Sequence, residues 1–425
     1  MRPLLLGSRY AWIVVATLTF LLAISHGLIT SGISVFDAEI LKDLGIGRGD
    51  LKFRDFLQLF AAGIWALLIG YTAERIGPRT IIYVGLVVLA GVLLGYGYVT
   101  NVYQIYGLHL LLAFAYSSCH VVIVILIITR WFYTRKSAAL GIILAGESLG
   151  GTVFPQIVVR LLEQYDWRTA MQVLSAVPLL LSLVLLLLLR RTPEDHGHPR
   201  FGEGEVRPPE KRMPDAALGP DARFRDYLLQ PTTFLLLLAA VCLFYAGGGF
   251  VAHAFLYFRD SGLPASAAAT SLSLIFITAF AGKLGGGLLA DRLGPHSCWL
   301  VFQGLLLAGA LVLALGSGPI IWAGIVLLGL GWGGCYTVTQ SIITELFAGP
   351  WLGRLSGMSV LMEGCAAGLG VWLTGVLYDQ AGSYAGPFTF SAALVVVSIA
   401  ASTIIARRRR NAVRARPVEP VPHGA

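Results

Sequence analysis

Charge is scarce in this chain: Asp, Glu, Lys and Arg make up 13% of its 425 residues, where a soluble domain carries about a quarter. Cysteine is scarcer still. The five present, Cys119, Cys242, Cys298, Cys335 and Cys365, fall in or beside apolar runs and form no CxxC pair. That argues against a disulfide framework and against a cysteine metal site. No nucleotide-phosphate loop, no HExxH pair and no large soluble segment occurs, so neither an enzyme nor an ATP-driven machine is expected, and no cofactor or metal is implied.

What is abundant is apolar surface. Hydrophobic residues make up 56% of the chain, the mean hydropathy is +0.75, and there are 50 glycines. Twelve apolar runs are long enough to cross a bilayer, at 11–35, 53–73, 80–99, 104–129, 138–160, 168–189, 232–257, 267–290, 298–316, 319–344, 355–377 and 386–406. The expected fold is an all-α membrane protein of twelve transmembrane helices, with glycine serving close helix contact in lipid. The first run is too long for the core of a cleaved leader and eleven more follow it, so it is read as retained.

The net charge of +8 sorts by side of the membrane. With the amino terminus inside, the inner loops and tails hold 23 Lys and Arg, against seven outside: Lys42, Arg48, Lys52, Arg54, Arg160, Arg168 and Arg259. This bias predicts a multi-pass protein of the inner or plasma membrane with both termini cytoplasmic, and it is no nucleic-acid signal. Residues 191–231 are proline-rich and charged, unable to bury a core, and read as a cytoplasmic linker between bundles at 1–190 and 232–406. A short interfacial helix is expected within 223–231, just ahead of the seventh run. The basic, proline-containing tail 407–425 reads as an anchor on anionic lipid. Arg259 and Asp260 are expected to form a solvated pair.

The two bundles repeat. Glu74-Arg75-Ile76-Gly77-Pro78 matches Asp291-Arg292-Leu293-Gly294-Pro295 at an offset of 217, which also sets Gly70 on Gly287. Tyr116 to His120 matches Trp332 to Tyr336, and Gly141 to Glu147 matches Gly357 to Glu363, at an offset of 216. Parallel repeats of six spans mark a secondary carrier with its site between the halves near the midplane. Gly70 and Gly287 are expected to let helices approach. Glu74, Arg75, Asp291 and Arg292 put opposite charges at cytoplasmic helix ends, where they would gate the halves.

Polar residues inside the runs are few. Lys283 is read as the one basic residue within an apolar run, about two turns short of its end near Ala290 and so too deep to snorkel. A cation at bilayer depth costs about 2.5–3.5 kcal/mol, so it is kept for a partner, a cavity or a task. Its companions are His26 and Ser31 in span one, Tyr116 and His120 one turn apart in span four, and Glu147 in span five. Tyr245 and His253 follow in span seven, Trp332, Tyr336 and Gln340 at i, i+4, i+8 in span ten, and Glu363 in span eleven. His26, His120 and His253 have no metal-ligand spacing. Glu147 and Glu363, repeat mates in apolar helices, are candidates for coupling a proton. Either one could pair with Lys283 when the carrier is empty and be displaced by an anion.

Several stretches resemble the major facilitator superfamily: the loop Gly70 to Arg79, its echo Gly287 to Pro295, and the run Arg130-Trp131-Phe132 through Arg135-Lys136 to Gly141 and Gly146. With Asp166-Trp167-Arg168 and the span-one segment from His26-Gly27-Leu28 to Ser34-Val35-Phe36, the chain resembles the monocarboxylate porter and oxalate:formate antiporter branch. The resemblance implies two pseudo-symmetric six-helix bundles with spans one, four, seven and ten around the cavity. It implies a small organic anion, most simply a monocarboxylate, held at Lys283, where the branch usually has arginine. Two further positions depart from the branch: Ala279 stands where proton-coupled members have an acid, and Ser31 where many have a lysine. The substrate set implied is Lys283, Tyr116, His120, His253, Trp332, Tyr336 and Ser31, in a monomer, with a coupled proton or a counter-anion. Export of a drug-like cation on the two glutamates is the alternative carrier, and a transporter-like membrane sensor the alternative of another class.

Overall fold

The apolar runs become helices that end where backbone chemistry demands. The computed structural model describes residues 2–189, 193, 200–202, 224–316, 318–346 and 352–414. In the first half, α1 (Arg2–His26) continues through a π-helical turn at Gly27–Gly32 into α2 (Ile33–Val35) and the short α3 (Asp37–Leu44). Then come α4 (Arg48–Ile76), α5 (Pro78–Tyr96), α6 (Val102–Ser118), α7 (Val121–Trp131), α8 (Lys136–Leu162), α9 (Trp167–Leu174) and α10 (Ala176–Leu188). The helix α11 (Phe224–Leu228), where a short one was expected, precedes the second half. That half comprises α12 (Pro231–Asp260), α13 (Ala265–Leu293), α14 (Pro295–Leu315), α15 (Ile320–Leu346), α16 (Leu352–Ala381) and α17 (Ala385–Arg414). Among the described residues, eleven stretches are long and apolar enough to cross a bilayer. The remaining expected run, 53–73, lies within the 29-residue α4, whose first two turns are charged. The expected linker and tail fall largely outside the described residues.

The repeat is visible in the joints. Gly77 (φ 87°) ends α4 and Gly294 (φ 78°) ends α13, each in the left-handed region that favours glycine, and Pro78 and Pro295 start the next helix. Asp166 caps α9, its Oδ1 accepting the backbone N–H of Arg168 at 3.0 Å and of Thr169 at 3.1 Å. Ser383, at the same offset of 217, accepts from the N–H of Ala385 at 3.1 Å where α17 begins. Contacts repeat as well. Helix α1 packs on α8 and α4 on α6 in one half, and α12 packs on α16 and α13 on α15 in the other. Across the seam α4 meets α16 and α8 meets α13.

Two spans are interrupted near their centres. The π turn Gly27–Gly32 loosens α1 just after His26, and the α6–α7 break at Cys119 and His120 divides the fourth span. Such irregularities concentrate at functional sites, because buried backbone departs from a helix only where it lines something useful. The α9–α10 break at Ser175 has a plainer cause. Pro178 has no N–H to give the Leu174 carbonyl one turn earlier.

Gly287 does not bring helices together as expected: a Cβ there would meet no atom within 4 Å. Close approach falls instead to Gly150, against the Ala23 carbonyl of α1, and to Gly370, against the Tyr245 carbonyl of α12. These two lie on the equivalent packings of spans five on one and eleven on seven.

Candidate functional site

The seam between α8 and α13 carries the chemistry. Ser273 donates to the Thr152 carbonyl at 2.7 Å, fixing the register of the two helices. Deeper in, Lys283 Nζ of α13 donates to Glu147 Oε2 of α8 at 3.1 Å. One of the two glutamates thus pairs with Lys283, and the contact joins the two halves. The other carboxylate oxygen, Oε1, lies 3.0 Å from His120 Nε2. The side chain of Glu147 is 7% exposed and that of Lys283 18%, so each charge depends on the other for most of its compensation.

An aromatic shell surrounds the pair. The Lys283 ammonium lies 5.0 Å from the Tyr336 ring centroid, within cation–π range. Tyr116 stacks on His120 with centroids 4.5 Å apart, its hydroxyl 3.2 Å from His120 Nε2. A continuous helix was expected to put these two on one face. The helix stops at Ser118, and the break itself turns His120 toward Glu147. His26 comes within 6.2 Å of the His120 ring and 6.1 Å of the Tyr116 ring. On the α15 side, Phe244 sits 5.3 Å from Trp332 and 6.0 Å from Tyr336, so these aromatics form one wall.

Sequence spacing hid a donor cluster here. Ligand atoms of His26, His120 and Glu147 all lie within 4.8 Å of one another, donors of the kind that bind first-row metals. The ammonium at 3.1 Å already neutralises the only carboxylate of the three, so a second cation would have to displace it.

Other expected members lie elsewhere. Glu363 accepts from Ser359 Oγ at 2.9 Å and Gln340 Nε2 at 3.1 Å, held by neutral donors within its own half. Ser31 is 1% exposed and spends its hydroxyl on the Gly27 carbonyl at 2.9 Å. His253 is fully buried: Nε2 donates to the Val371 carbonyl at 2.8 Å, leaving Nδ1 to accept from the Tyr384 hydroxyl at 2.9 Å. Neither side chain is open to a substrate in this conformation. Arg75 is exposed and stacks on Tyr71 of its own helix at 4.3 Å. Arg292 is exposed too, while the side chains of Glu74 and Asp291 lie outside the described ones. Gly146-Glu147-Ser148-Leu149-Gly150 matches the GxSxG serine pattern, but it runs through the middle of α8 with Ser148 2% exposed. No strand-to-helix elbow aims that hydroxyl.

Two charge networks at the other end of the seam were missed by sequence reasoning. Lys52 and Arg54, sorted to a solvated outer loop, are 1% and 0% exposed. Asp37, itself buried, forms an ion pair with Lys52 at 2.6 Å and accepts from Arg54, and Lys52 also reaches the Ala252 carbonyl of α12 at 2.8 Å. Lys283 is therefore not the only buried cation. Asp260 does not pair with Arg259 but takes Arg48 of α4 in a two-point contact at 2.8 and 2.9 Å. Asp379 of α16 accepts the backbone N–H groups of Arg48 and Gly49 at 2.9 and 2.7 Å. Together these latch the halves at the Arg48 end. A hydrophobic plot cannot find such pairs, because their partners lie up to 331 residues apart.

A likeness to known proteins extends along most of the chain. Monocarboxylate transporter 13 of Bos taurus is 25% identical over 399 residues, covering 91% of this chain and 87% of its own. MFS-type transporter 1 of Ophiocordyceps sp. (strain BCC 1869) is 26% identical over 356 residues, 83% of this chain and 75% of its own. Among solved structures, an inward-facing, unoccupied bacterial homologue of the human lysosomal transporter Spinster superposes with a TM-score of 0.71 at 17% identity. It covers 97% of this chain and 99% of that one, which bears on the fold alone. The family model of the Major Facilitator Superfamily matches residues 15–364. Paired bundles, repeated glycine–proline joints and an ion pair at their seam thus belong to a multi-pass membrane transporter of small molecules, and this chain is a member of the Major Facilitator Superfamily.

Proposed function

We propose that the chain carries a small organic anion, a monocarboxylate, across the cell membrane by alternating access, as a monomer with both termini in the cytoplasm. The observation behind this reading is the 3.1 Å contact between Lys283 and Glu147. A lysine at bilayer depth is held in reserve by an internal carboxylate of the same chemistry as the cargo. An arriving carboxylate takes the ammonium, and Tyr116, Trp332 and Tyr336 size the apolar remainder. The 25% identity to a monocarboxylate transporter supports the same substrate class.

Glu147, once displaced, is left as a bare carboxylate among His120, His26 and Tyr116, so it takes up a proton, and anion and proton travel together. Glu363, its repeat mate, has no cation to lose among the described residues and is the weaker candidate for coupling. The domain limits follow the same reading: bundles at 1–190 and 232–406, a cytoplasmic linker at 191–231 and a basic tail at 407–425. Arg75 and Arg292, with Glu74 and Asp291 beside them in sequence, gate the cytoplasmic end, where opposite charges can bridge and part.

The test is uptake into proteoliposomes by Lys283→Ala, with insertion checked separately. Uptake of monocarboxylates is expected to vanish. Undiminished uptake by a correctly inserted variant would falsify the assignment.

A further inference from the structure

The latch at the Arg48 end has a structure that invites a ligand. The Arg48 guanidinium carbon stands 3.8 Å from the centroid of the Tyr378 ring and 5.2 Å from that of Tyr384. One of its nitrogens donates to Asp260 at 2.9 Å, and the other lies 2.8 Å from the second carboxylate oxygen and donates to the Tyr384 hydroxyl at 2.6 Å. Two tyrosine faces and a carboxylate make a cage for a planar cation. Every wall of it belongs to the second half: Asp260 ends α12, Tyr378 lies on α16, and Tyr384 precedes α17. The cation inside comes from the first half.

Beside the cage lies a cavity of about 400 Å³, lined among others by Tyr257, Asp260, Ser261, Tyr378, Ser383 and Tyr384. No basic side chain is among its described lining residues, although the chain as a whole carries a net charge of +8. Tyr257 adds a third ring, 5.8 Å from Tyr384. Cage and cavity therefore offer one negative charge, three aromatic rings and room for the body of a small molecule.

We propose that this is a second binding site, distinct from the one at Lys283, for an organic cation bearing a guanidinium group. It binds from the side the latch closes, competes with Arg48 for Asp260 and the tyrosine faces, and holds the halves apart at that end. Only the unlatched conformation offers the site, so the ligand shifts the population by its whole affinity for that state. The inference does not depend on what Lys283 carries.

Methylguanidinium is the probe, used on full-length protein in proteoliposomes. Val376 supplies the reporter position, because its side chain sits 2.8 Å from where a Cβ on Gly49 would be, inside the latched interface. In a Val376→Cys protein, labelling by a membrane-impermeant maleimide reads unlatching; four of the five native cysteines are buried and the fifth half-buried, and the parent protein gives the background. Millimolar methylguanidinium is expected to raise the labelling rate saturably, by about tenfold, where equal concentrations of sodium chloride and urea do not. Asp260→Asn should remove that rise. Tyr378→Leu should blunt it, and stands in if Asp260→Asn fails to insert. Arg48→Ala, with the cage emptied, should label fast without the probe and gain thermal stability when it is added. A labelling rate that ignores methylguanidinium, a rise that survives both cage variants, or an Arg48→Ala protein with no thermal shift overturns the proposal.

Discussion

Glu147 and Glu363 occupy equivalent positions in the two repeats, yet the fold uses them differently. Glu147 faces across the seam to a lysine of the other half, with a histidine on its second oxygen. Glu363 stays within its half, satisfied by a serine and a glutamine. Repetition thus fixes where a carboxylate can sit without fixing what it does. The neighbours decide, and the decisive neighbour, Lys283, has no charged repeat mate: the offset of 217 that joins Gly287 to Gly70 leads back from it to Ala66. Such asymmetry is what lets a pseudo-symmetric frame hold one binding centre.

The largest effect that can break this comparison is loss of the ammonium. Lys283→Ala should abolish anion uptake and, by leaving Glu147 buried beside no cation, lower stability by about 3–5 kcal/mol, read as a fall in the thermal midpoint of the detergent-solubilised protein. Lys283→Ala combined with Glu147→Gln should recover most of that stability without recovering transport.

Next in size is the response to a pH gradient. Glu147→Gln should carry anion with little acceleration by an imposed gradient, whereas Glu363→Gln, which keeps its shape and its place between Ser359 and Gln340, should respond as the parent does. Equal loss in both would mean that the two glutamates act alike and that the distinction drawn from their neighbours is empty. A gentler probe is Ser359→Ala. It takes one donor from Glu363 and should cost about 1 kcal/mol with transport retained.

The smallest effect concerns the caps that start the last span of each half. Asp166→Ala should destabilise by about 1 kcal/mol and Ser383→Ala by no more. The Thr169 hydroxyl, donating at 2.6 Å, and the backbone N–H groups it adjoins hold the Asp166 carboxyl below its ordinary pKa. Its contribution is therefore complete above the ordinary aspartate range and fades as acid protonates the cap, a trend that Asp166→Asn should flatten in a pH series of melting curves.

Much of this was legible beforehand, for identifiable reasons. Apolar length gave the spans, and the offset of 217 gave the paired joints at Gly77 and Gly294, because left-handed turns leave a mark in residue type. The pairing of Lys283 with one of two glutamates followed from their rarity. The break at Cys119 and His120 left no mark, since neither proline nor glycine interrupts Ser117 to Val121, and so the sharing of Glu147 between histidine and lysine was hidden. The burial of Lys52 and Arg54 was hidden too. Hydropathy assigns a charge to water, and only the tertiary fold brings Asp37 beneath them. His253 shows the opposite limit: the sequence puts a histidine in a span but carries no sign that both ring nitrogens are engaged.

The seam pair has an electrical consequence. Empty, the centre sums to zero, with one ammonium cancelled by one carboxylate. If cargo and proton load together as proposed, the centre again sums to zero, the guest anion cancelling the ammonium and the proton cancelling Glu147. Each unit of charge moved through the full membrane field is worth about 2.3 kcal/mol per 100 mV. A carrier neutral on both strokes would be indifferent to that voltage, turning over at the same speed in polarised and depolarised vesicles and driven by concentration gradients alone.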